Sequence, residues 1–134
     1  MPAPSSFEYA VLRVVPRVER GERINAGVVL YCRSREFLQA AIDLDRKRLL
    51  ALAPEADISL LESHLESLAR VCLGGREAGP IGLLSQAERF RWLVAPRSTV
   101  IQPSSVHEGL CDDPAVTLAQ VMGTLGLTMR SGSR

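Results

Sequence analysis

FEYAVLRVV, residues 7–15, is the stretch of sequence that sets the fold. Aromatic and β-branched residues recur along it with a period of two, which predicts a β-strand. Both of its alternating faces are largely apolar, so we expect a central strand that is covered on each side. Pro16 follows, and because proline has no N–H to donate, the strand is predicted to end there.

Two more strands are predicted directly downstream, at residues 24–33 around Val-Val-Leu-Tyr and at residues 37–44. The charged stretch 17–23 joins the first strand to the second, and the polar turn 33–36 joins the second to the third. Connections this short favour antiparallel neighbours, so the N-terminal third is predicted to be a three-stranded meander. Gly27 is expected to mark a bulge or a close approach of two backbones.

Four helix starts are visible in the remaining sequence. Asp45 and Asp57 are placed as N-caps, and Ser85 opens an S-x-x-E capping box. The pair Asp113-Pro114 supplies a cap and a first-turn proline for the last helix.

The fold class that follows is α+β, with an antiparallel sheet of about four strands packed with three to four helices. The sheet begins with the three-stranded meander, and its fourth strand is predicted over residues 98–102, followed by a long loop over residues 103–112. A single domain is expected over residues 7–127, with a disordered N-terminus over residues 1–6 and a flexible tail over residues 128–134.

The composition is that of one globular domain. The chain has 134 residues, of which 46% are hydrophobic and 23% charged, and this excludes the disordered and fibrous classes. The formal net charge is only +1, so no overall field draws the chain to nucleic acid or to an acidic membrane. Three cysteines without CxxC spacing predict neither a disulfide framework nor a zinc site. No secretory leader and no membrane span is predicted, so we expect a cytoplasmic protein.

The first candidate site is the hairpin loop with its flanks, which contain Arg13, Arg17, Arg20, Arg23 and Asn25. Within the loop, glutamates alternate with the arginines, which favours a solvated surface over an anion-binding site. Arg13 is different, because it shares a strand face with apolar residues, where an unpaired charge costs free energy. We expect it to form an ion pair with Asp43 or Glu8, and a role in ligand binding is the alternative.

The second candidate is a polar segment in the C-terminal third. His107 has the chemistry of a general base and Ser104 that of a nucleophile, with Arg97 and Gln102 nearby in the sequence. No G-x-S-x-G elbow positions a serine, which argues against catalysis. A metal site around the histidine is disfavoured, because Asp113 is better used as a helix cap. No catalytic residue, metal or cofactor is therefore assigned.

Two blocks of the sequence resemble one known family. The first is YAVLRVVPRVERGERINAGVVLYC, residues 9–32. The second is RFRWLVAPRS, residues 89–98, continued by Gln102-Pro103-Ser104, His107, Gly109 and Asp113-Pro114. Together they resemble the bacterial domain of unknown function 3037 family over nearly the whole chain. Ser105 departs from the family pattern, in which proline is expected.

The resemblance implies no established reaction, cofactor or catalytic residue. It does imply a protein partner, since genes of this family are frequently paired with the gene of a HipA-like kinase. We therefore expect a non-enzymatic, cytoplasmic accessory or protein-interaction module, because polar loops on a rigid sheet suit recognition. Its expected binding residues are Arg13, Arg17, Arg20, Arg23, Asn25, Arg97 and His107.

The alternative function is a small hydrolase or nucleic-acid-processing enzyme that uses His107, Ser104, Arg97 and Gln102. Nucleic-acid binding is disfavoured by the low net charge, although the loop arginines keep it open. The sequence leaves open the ligand, the strand order, the oligomeric state and whether the two candidate segments form one site.

Overall fold

The computed structural model describes residues 3–97 and 99–129. Over these residues, one antiparallel sheet is packed with helices on both faces, which confirms the α+β prediction. The strands are β1 (Ser5–Val14), β2 (Ile24–Cys32), β3 (Phe37–Ile42), β4 (Ile101–Pro103) and β5 (His107–Cys111), and the helices are α1 (Arg46–Leu52), α2 (Ile58–Leu73), α3 (Gln86–Val94) and α4 (Pro114–Thr124). No helix in this part of the chain is long and apolar enough to cross a membrane.

β1 is the central strand, as predicted. Along one edge it pairs antiparallel with β2, which pairs in turn with β3. Along its other edge it pairs with β4 at residues 12–14 and with β5 at residues 5–9. Both backbone edges of β1 are therefore used inside the sheet, and the predicted N-terminal meander is confirmed.

The segment His107–Cys111 is a strand, so the prediction of a long loop over residues 103–112 is wrong. It pairs antiparallel with residues 5–9 of β1. The sequence HEGLC has no alternating apolar pattern, so its pairing is dictated by the open edge of β1 and not by its own propensity. The described sheet thus has five strands, where about four were predicted.

Some of the predicted segments extend beyond the described residues. The fourth predicted strand corresponds to β4, at Ile101–Pro103, and Ser98 lies outside the described residues. Residues 1–2 and 130–134, which belong to the predicted disordered ends, lie outside them as well. At the N-terminus, β1 already includes Ser5 and Ser6.

Alternation along β1 separates two faces of the sheet. Even-numbered residues such as Ala10 and Leu12 lie on the α2 face, the side on which α1, α2 and α3 pack. Odd-numbered residues such as Phe7 and Tyr9 lie on the α4 face, the side on which α4 packs. The hydrophobic core therefore consists of two layers, one on each side of the central strands.

All four predicted helix starts are confirmed. The side chains of Asp45, Asp57, Ser85 and Asp113 each accept a hydrogen bond from a backbone N–H in the first turn of the helix that follows, at 3.0–3.2 Å. Ser85 also completes a capping box, because its backbone N–H donates to Glu88 at 3.1 Å. Such caps contribute about 1 kcal/mol each, so the helix starts are specified by local sequence.

Arg89 fixes α3 to the end of α2, a role that no sequence pattern indicated. The residue is only 8% exposed. Its Nη1 donates to the carbonyl oxygens of Val71 and Cys72 at 2.8 and 2.7 Å, and its Nε donates to that of Leu84 at 3.0 Å. The guanidinium therefore binds carbonyl groups of the last turn of α2, where the helix dipole favours a cation.

Gly27 marks both a bulge and a close approach, as predicted. The register of β1 and β2 shifts between Leu12 and Arg13, so Ala26 is the extra residue of β2. A Cβ atom at Gly27 would collide with the carbonyl oxygen of Ala41 on β3. The strands can therefore pair at this point only around a residue without a side chain.

Gly27→Ala is expected to destabilise the protein by about 1–3 kcal/mol, because the new methyl group forces β3 away from β2. The matched control is Gly123→Ala in α4, where a Cβ meets no atom within 4 Å. Alanine is the better helix former by about 1 kcal/mol, so the control should be stabilised. Urea denaturation measures both effects. Equal midpoints for the two variants would contradict this account of the bulge.

Candidate functional site

A row of polar side chains crosses the α4 face at the end of β1 that leads into the hairpin loop. Arg13 lies opposite Asn25 of β2 on one side and opposite Gln102 of β4 on the other. All three residues are half-buried. α4 packs over the other end of this face, against Phe7 and Leu30, so the row lies beyond the helix. The sheet thus brings together three polar residues that are far apart in the sequence, and we call them the Arg13 row.

Arg13 has no partner in the described residues. Neither a hydrogen bond nor an ion pair engages its guanidinium over residues 3–97 and 99–129. Glu8 is an even-numbered residue of β1 and belongs to the α2 face. Asp43 instead accepts a hydrogen bond from the backbone N–H of Thr128 at 2.8 Å. The prediction of an ion pair between Arg13 and one of these carboxylates is therefore wrong.

Arg23 adds a second positive charge beside Arg13. It directly precedes β2. Because it is two residues from Asn25, its side chain lies on the same face of the sheet as that of Asn25. Burial, together with the charge of Arg23, lowers the pKa of Arg13 below its ordinary value. Within the described residues, Arg23 also has neither a hydrogen bond nor an ion pair. The two guanidinium groups repel each other, and an anion bound between them would relieve that repulsion.

The other two arginines of the hairpin loop are paired with glutamates. Arg17 donates to Glu55 through Nη2 at 2.8 Å and through Nε at 3.2 Å. Arg20 forms an ion pair with Glu22 at 3.3 Å. Exposed pairs of this kind contribute about 0–1 kcal/mol to stability, so they order the loop more than they hold the fold. Arg13 and Arg23 are therefore the free cations of this region, as far as the described residues extend.

A cavity of about 460 Å³ opens beside the Arg13 row. Asn25 forms part of its wall, and the rest comes from residues 43–48 and from residues 125–128, which follow α4. The second wall segment contains Gly126, whose φ of 75° lies in the left-handed region that favours glycine. Sequence patterns indicated Asn25, but no residue of the second wall segment, where the local signal is the glycine that follows α4.

His107 stacks on Tyr9 at the edge of the same face. The two ring centroids are 5.1 Å apart, and the rings are inclined by 29°. Across the described residues, no hydrogen bond orients either ring nitrogen of His107. A catalytic histidine needs such a partner to fix its tautomer and orientation. The imidazole therefore has the surroundings of a packing residue and lacks those of a general base.

Ser104 is held by the backbone of β1. The residue is 7% exposed. Its Oγ accepts the N–H of Val11, and its own N–H donates to the carbonyl oxygen of Val11, both at 2.8 Å. Its hydroxyl donates to the carbonyl oxygen of Ser105 at 2.8 Å. Ser104 therefore ties the segment between β4 and β5 to β1. Because its hydroxyl proton is already donated to a carbonyl oxygen, it is poorly placed to act as a nucleophile.

Arg97 lies on the opposite face of the sheet from His107. Its Nη1 and Nη2 donate to the carbonyl oxygens of Leu93 and Trp92 at 2.9 and 2.7 Å, and its guanidinium lies 4.7 Å from the centroid of the Trp92 ring. With Ile101, these side chains border a cavity of about 230 Å³ on the α2 face. The residues predicted as one catalytic group are thus divided between two faces: Gln102 joins residues of the first candidate segment in the Arg13 row, whereas Arg97 lies on the other face.

The metal-binding potential of the described residues and the reactivity of two of their thiols bear on catalysis. No cluster of histidine, cysteine, aspartate and glutamate side chains that could hold a metal ion occurs among them. Burial raises the pKa of Cys72 to about 12, although the charge of Arg89 opposes the shift. Burial, followed by the proximity of Cys32, also raises the pKa of Cys111. These two thiols stay protonated at neutral pH and are poor nucleophiles.

Ser104→Ala is expected to lower the free energy of unfolding by about 1–3 kcal/mol, because the N–H of Val11 loses its acceptor inside the sheet. The matched control is Ser105→Ala, since Ser105 is exposed and its carbonyl oxygen is unaffected by the substitution. The control should stay within about 0.5 kcal/mol of the wild type. Chemical denaturation measures both variants. If Ser104→Ala changes the free energy of unfolding as little as the control does, the hydroxyl of Ser104 does not help to hold its segment against β1.

Comparison with known proteins agrees with the resemblance noted in the sequence. The family model described as "Protein of unknown function (DUF3037)" matches residues 9–125, a span that includes the whole Arg13 row. No curated protein and no solved structure matches the chain significantly. Because the family model covers most of its length, the chain belongs to the DUF3037 family of proteins of unknown function.

Proposed function

We propose that this protein is a non-enzymatic, cytoplasmic accessory module that binds a protein partner through the Arg13 row and Arg23. Its target is an anionic group on the partner, either a carboxylate or a phosphate, because both match the planar fork of a guanidinium. The gene pairing that the family resemblance implies adds the proposal that the partner is a HipA-like kinase.

The observation that carries this proposal is a pair of neighbouring arginines, Arg13 and Arg23, that meet no carboxylate in the part of the chain that the structure describes. The chain contains 15 acidic residues, and the described structure uses some of them to pair other arginines, as in Arg46 with Glu62 at 2.9 Å. Arg13 and Arg23 receive none within the described residues. Keeping two like charges together costs free energy, and proteins accept such local costs mainly at functional sites.

The flanking amides suit the same role. The Nε2 of Gln102 donates to the carbonyl oxygen of Thr99 at 2.8 Å, which holds this side chain in place beside Arg13. On the other side, Asn25 borders the cavity of about 460 Å³, which has room for a side chain of the partner. Amide groups at fixed positions next to guanidinium groups add directional hydrogen bonds to a charge-based contact.

The placement of the remaining candidates supports binding over catalysis. The hydroxyl proton of Ser104 is engaged with the backbone, and Arg97 is bound to carbonyl oxygens on the face opposite His107. Arg17 and Arg20 are paired with glutamates, so the hairpin loop offers no continuous basic track of the kind that nucleic-acid backbones require. These contacts favour the interaction module over a hydrolase or a nucleic-acid-processing enzyme.

Copurification with a HipA-like kinase, followed by calorimetric titration, tests the proposal. We expect Arg13→Ala and Arg23→Ala each to weaken the complex by roughly 10- to 100-fold, because each leaves the anion of the partner with one guanidinium fewer. The matched control is Arg91→Ala on α3, an exposed arginine, and it should bind as the wild type does.

Two outcomes would contradict this proposal, and they are distinguishable. If the two proteins do not associate at micromolar concentration, the kinase is not the partner. If they associate but both arginine substitutions leave the affinity unchanged, the Arg13 row is not the binding surface.

A further inference from the structure

β5 has a backbone edge that no strand pairs with in the described residues. The strand is bonded to β1 alone. Leu110, near its end, is 70% exposed. Natural edge strands are usually protected from pairing with another chain by proline, by lysine or by a covering segment. The sequence HEGLC contains no proline, lysine or arginine. An open edge of this kind is a template for strand addition by another polypeptide.

The backbone groups that point outward are those of Glu108 and Leu110. The N–H and C=O of Val11 both bond Ser104, which lies on the same side of β1 as β5. Along a strand, the backbone N–H and C=O groups of successive residues point alternately to its two edges. The odd-numbered residues of β1, like Val11, therefore point toward β5 and bond its odd-numbered residues. The even-numbered residues of β5 therefore present their N–H and C=O groups to a strand that would lie outside it.

The side chains of the same two residues define what such a strand should carry. Glu108 lies directly opposite Glu8 of β1, and neither carboxylate has an ion pair in the described residues. Like charges in opposite positions destabilise a sheet, and a basic residue next to Glu108 on an added strand would offset them. Leu110 lies on the same face, two residues along, and offers an exposed apolar contact.

We propose that the outer edge of β5 binds an extended segment of a protein partner, with lysine or arginine opposite Glu108 and an apolar residue opposite Leu110. A second copy of this chain is a poorer occupant, because pairing two β5 strands would gather four carboxylates on one face. This surface is acidic and lies away from the Arg13 row, so the inference does not depend on the function proposed above.

The probe is a capped peptide, Thr-Val-Thr-Lys-Thr, which places valine beside Leu110 and lysine beside Glu108 when it pairs antiparallel. In NMR titrations, the amide protons of Glu108 and Leu110 should become protected from exchange at saturating peptide. The peptide Thr-Val-Thr-Glu-Thr should bind roughly tenfold more weakly, because its charge meets two carboxylates.

Two variants separate the backbone contribution from the charge. Leu110→Pro removes an outward N–H without removing a bond to β1, so the variant should fold and lose peptide binding. Glu108→Lys should reverse the preference between the two peptides, and it serves as the test if the proline variant fails to fold. The matched control, Glu66→Lys on the exposed surface of α2, should change nothing. Arg13→Ala should also leave peptide binding unchanged.

Three results would overturn the proposal. The first is unchanged exchange of the Glu108 and Leu110 amides at saturating peptide. The second is an unaltered preference between the two peptides in Glu108→Lys. The third is a dimer in sedimentation in which the amides of Glu108 and Leu110 are protected without any peptide, because the edge would then belong to a second copy of the chain.

Discussion

β1 is paired along both backbone edges, and the rest of the structure depends on that constraint. A strand with both edges in use cannot slide by one residue without losing partners on either side, so one segment sets the register of β2, β4 and β5. Its two faces are covered by different helices. Arg13 lies where α4 no longer covers the strand, so the strand that organises the core also positions the candidate site.

Local signals predict the elements of this fold, because they act over a few residues. The capping side chain of Asp45, the capping box at Ser85 and the period-two run of residues 7–15 each predict a correct element. Contacts across the sheet carry no such signal. HEGLC becomes a strand only because β1 has an open edge, and Arg89 finds carbonyl groups of a helix that is distant in the sequence. Those features depend on tertiary context, which overrides propensity.

Arg13 illustrates the same limit within the candidate site. From the sequence, a cation in an apolar strand requires an acidic partner, since burial of an unpaired charge is costly. In the structure, the cost is limited by half-exposure at the strand end, and the charge that acts on Arg13 is that of Arg23. Over residues 3–97 and 99–129, Arg13 thus has no acidic partner at a strand position where the sequence alone predicts one, and the proposed recognition role rests on that difference.

The free energy of unfolding of Arg13→Met tests this claim most directly, because methionine has a side chain of similar reach without the charge. If Arg13 is kept for recognition, the variant should be as stable as the wild type, or more stable by up to about 1 kcal/mol through relief of the repulsion from Arg23. A loss of about 2 kcal/mol or more would show that the guanidinium has a structural partner, and this end of the sheet would then be scaffold.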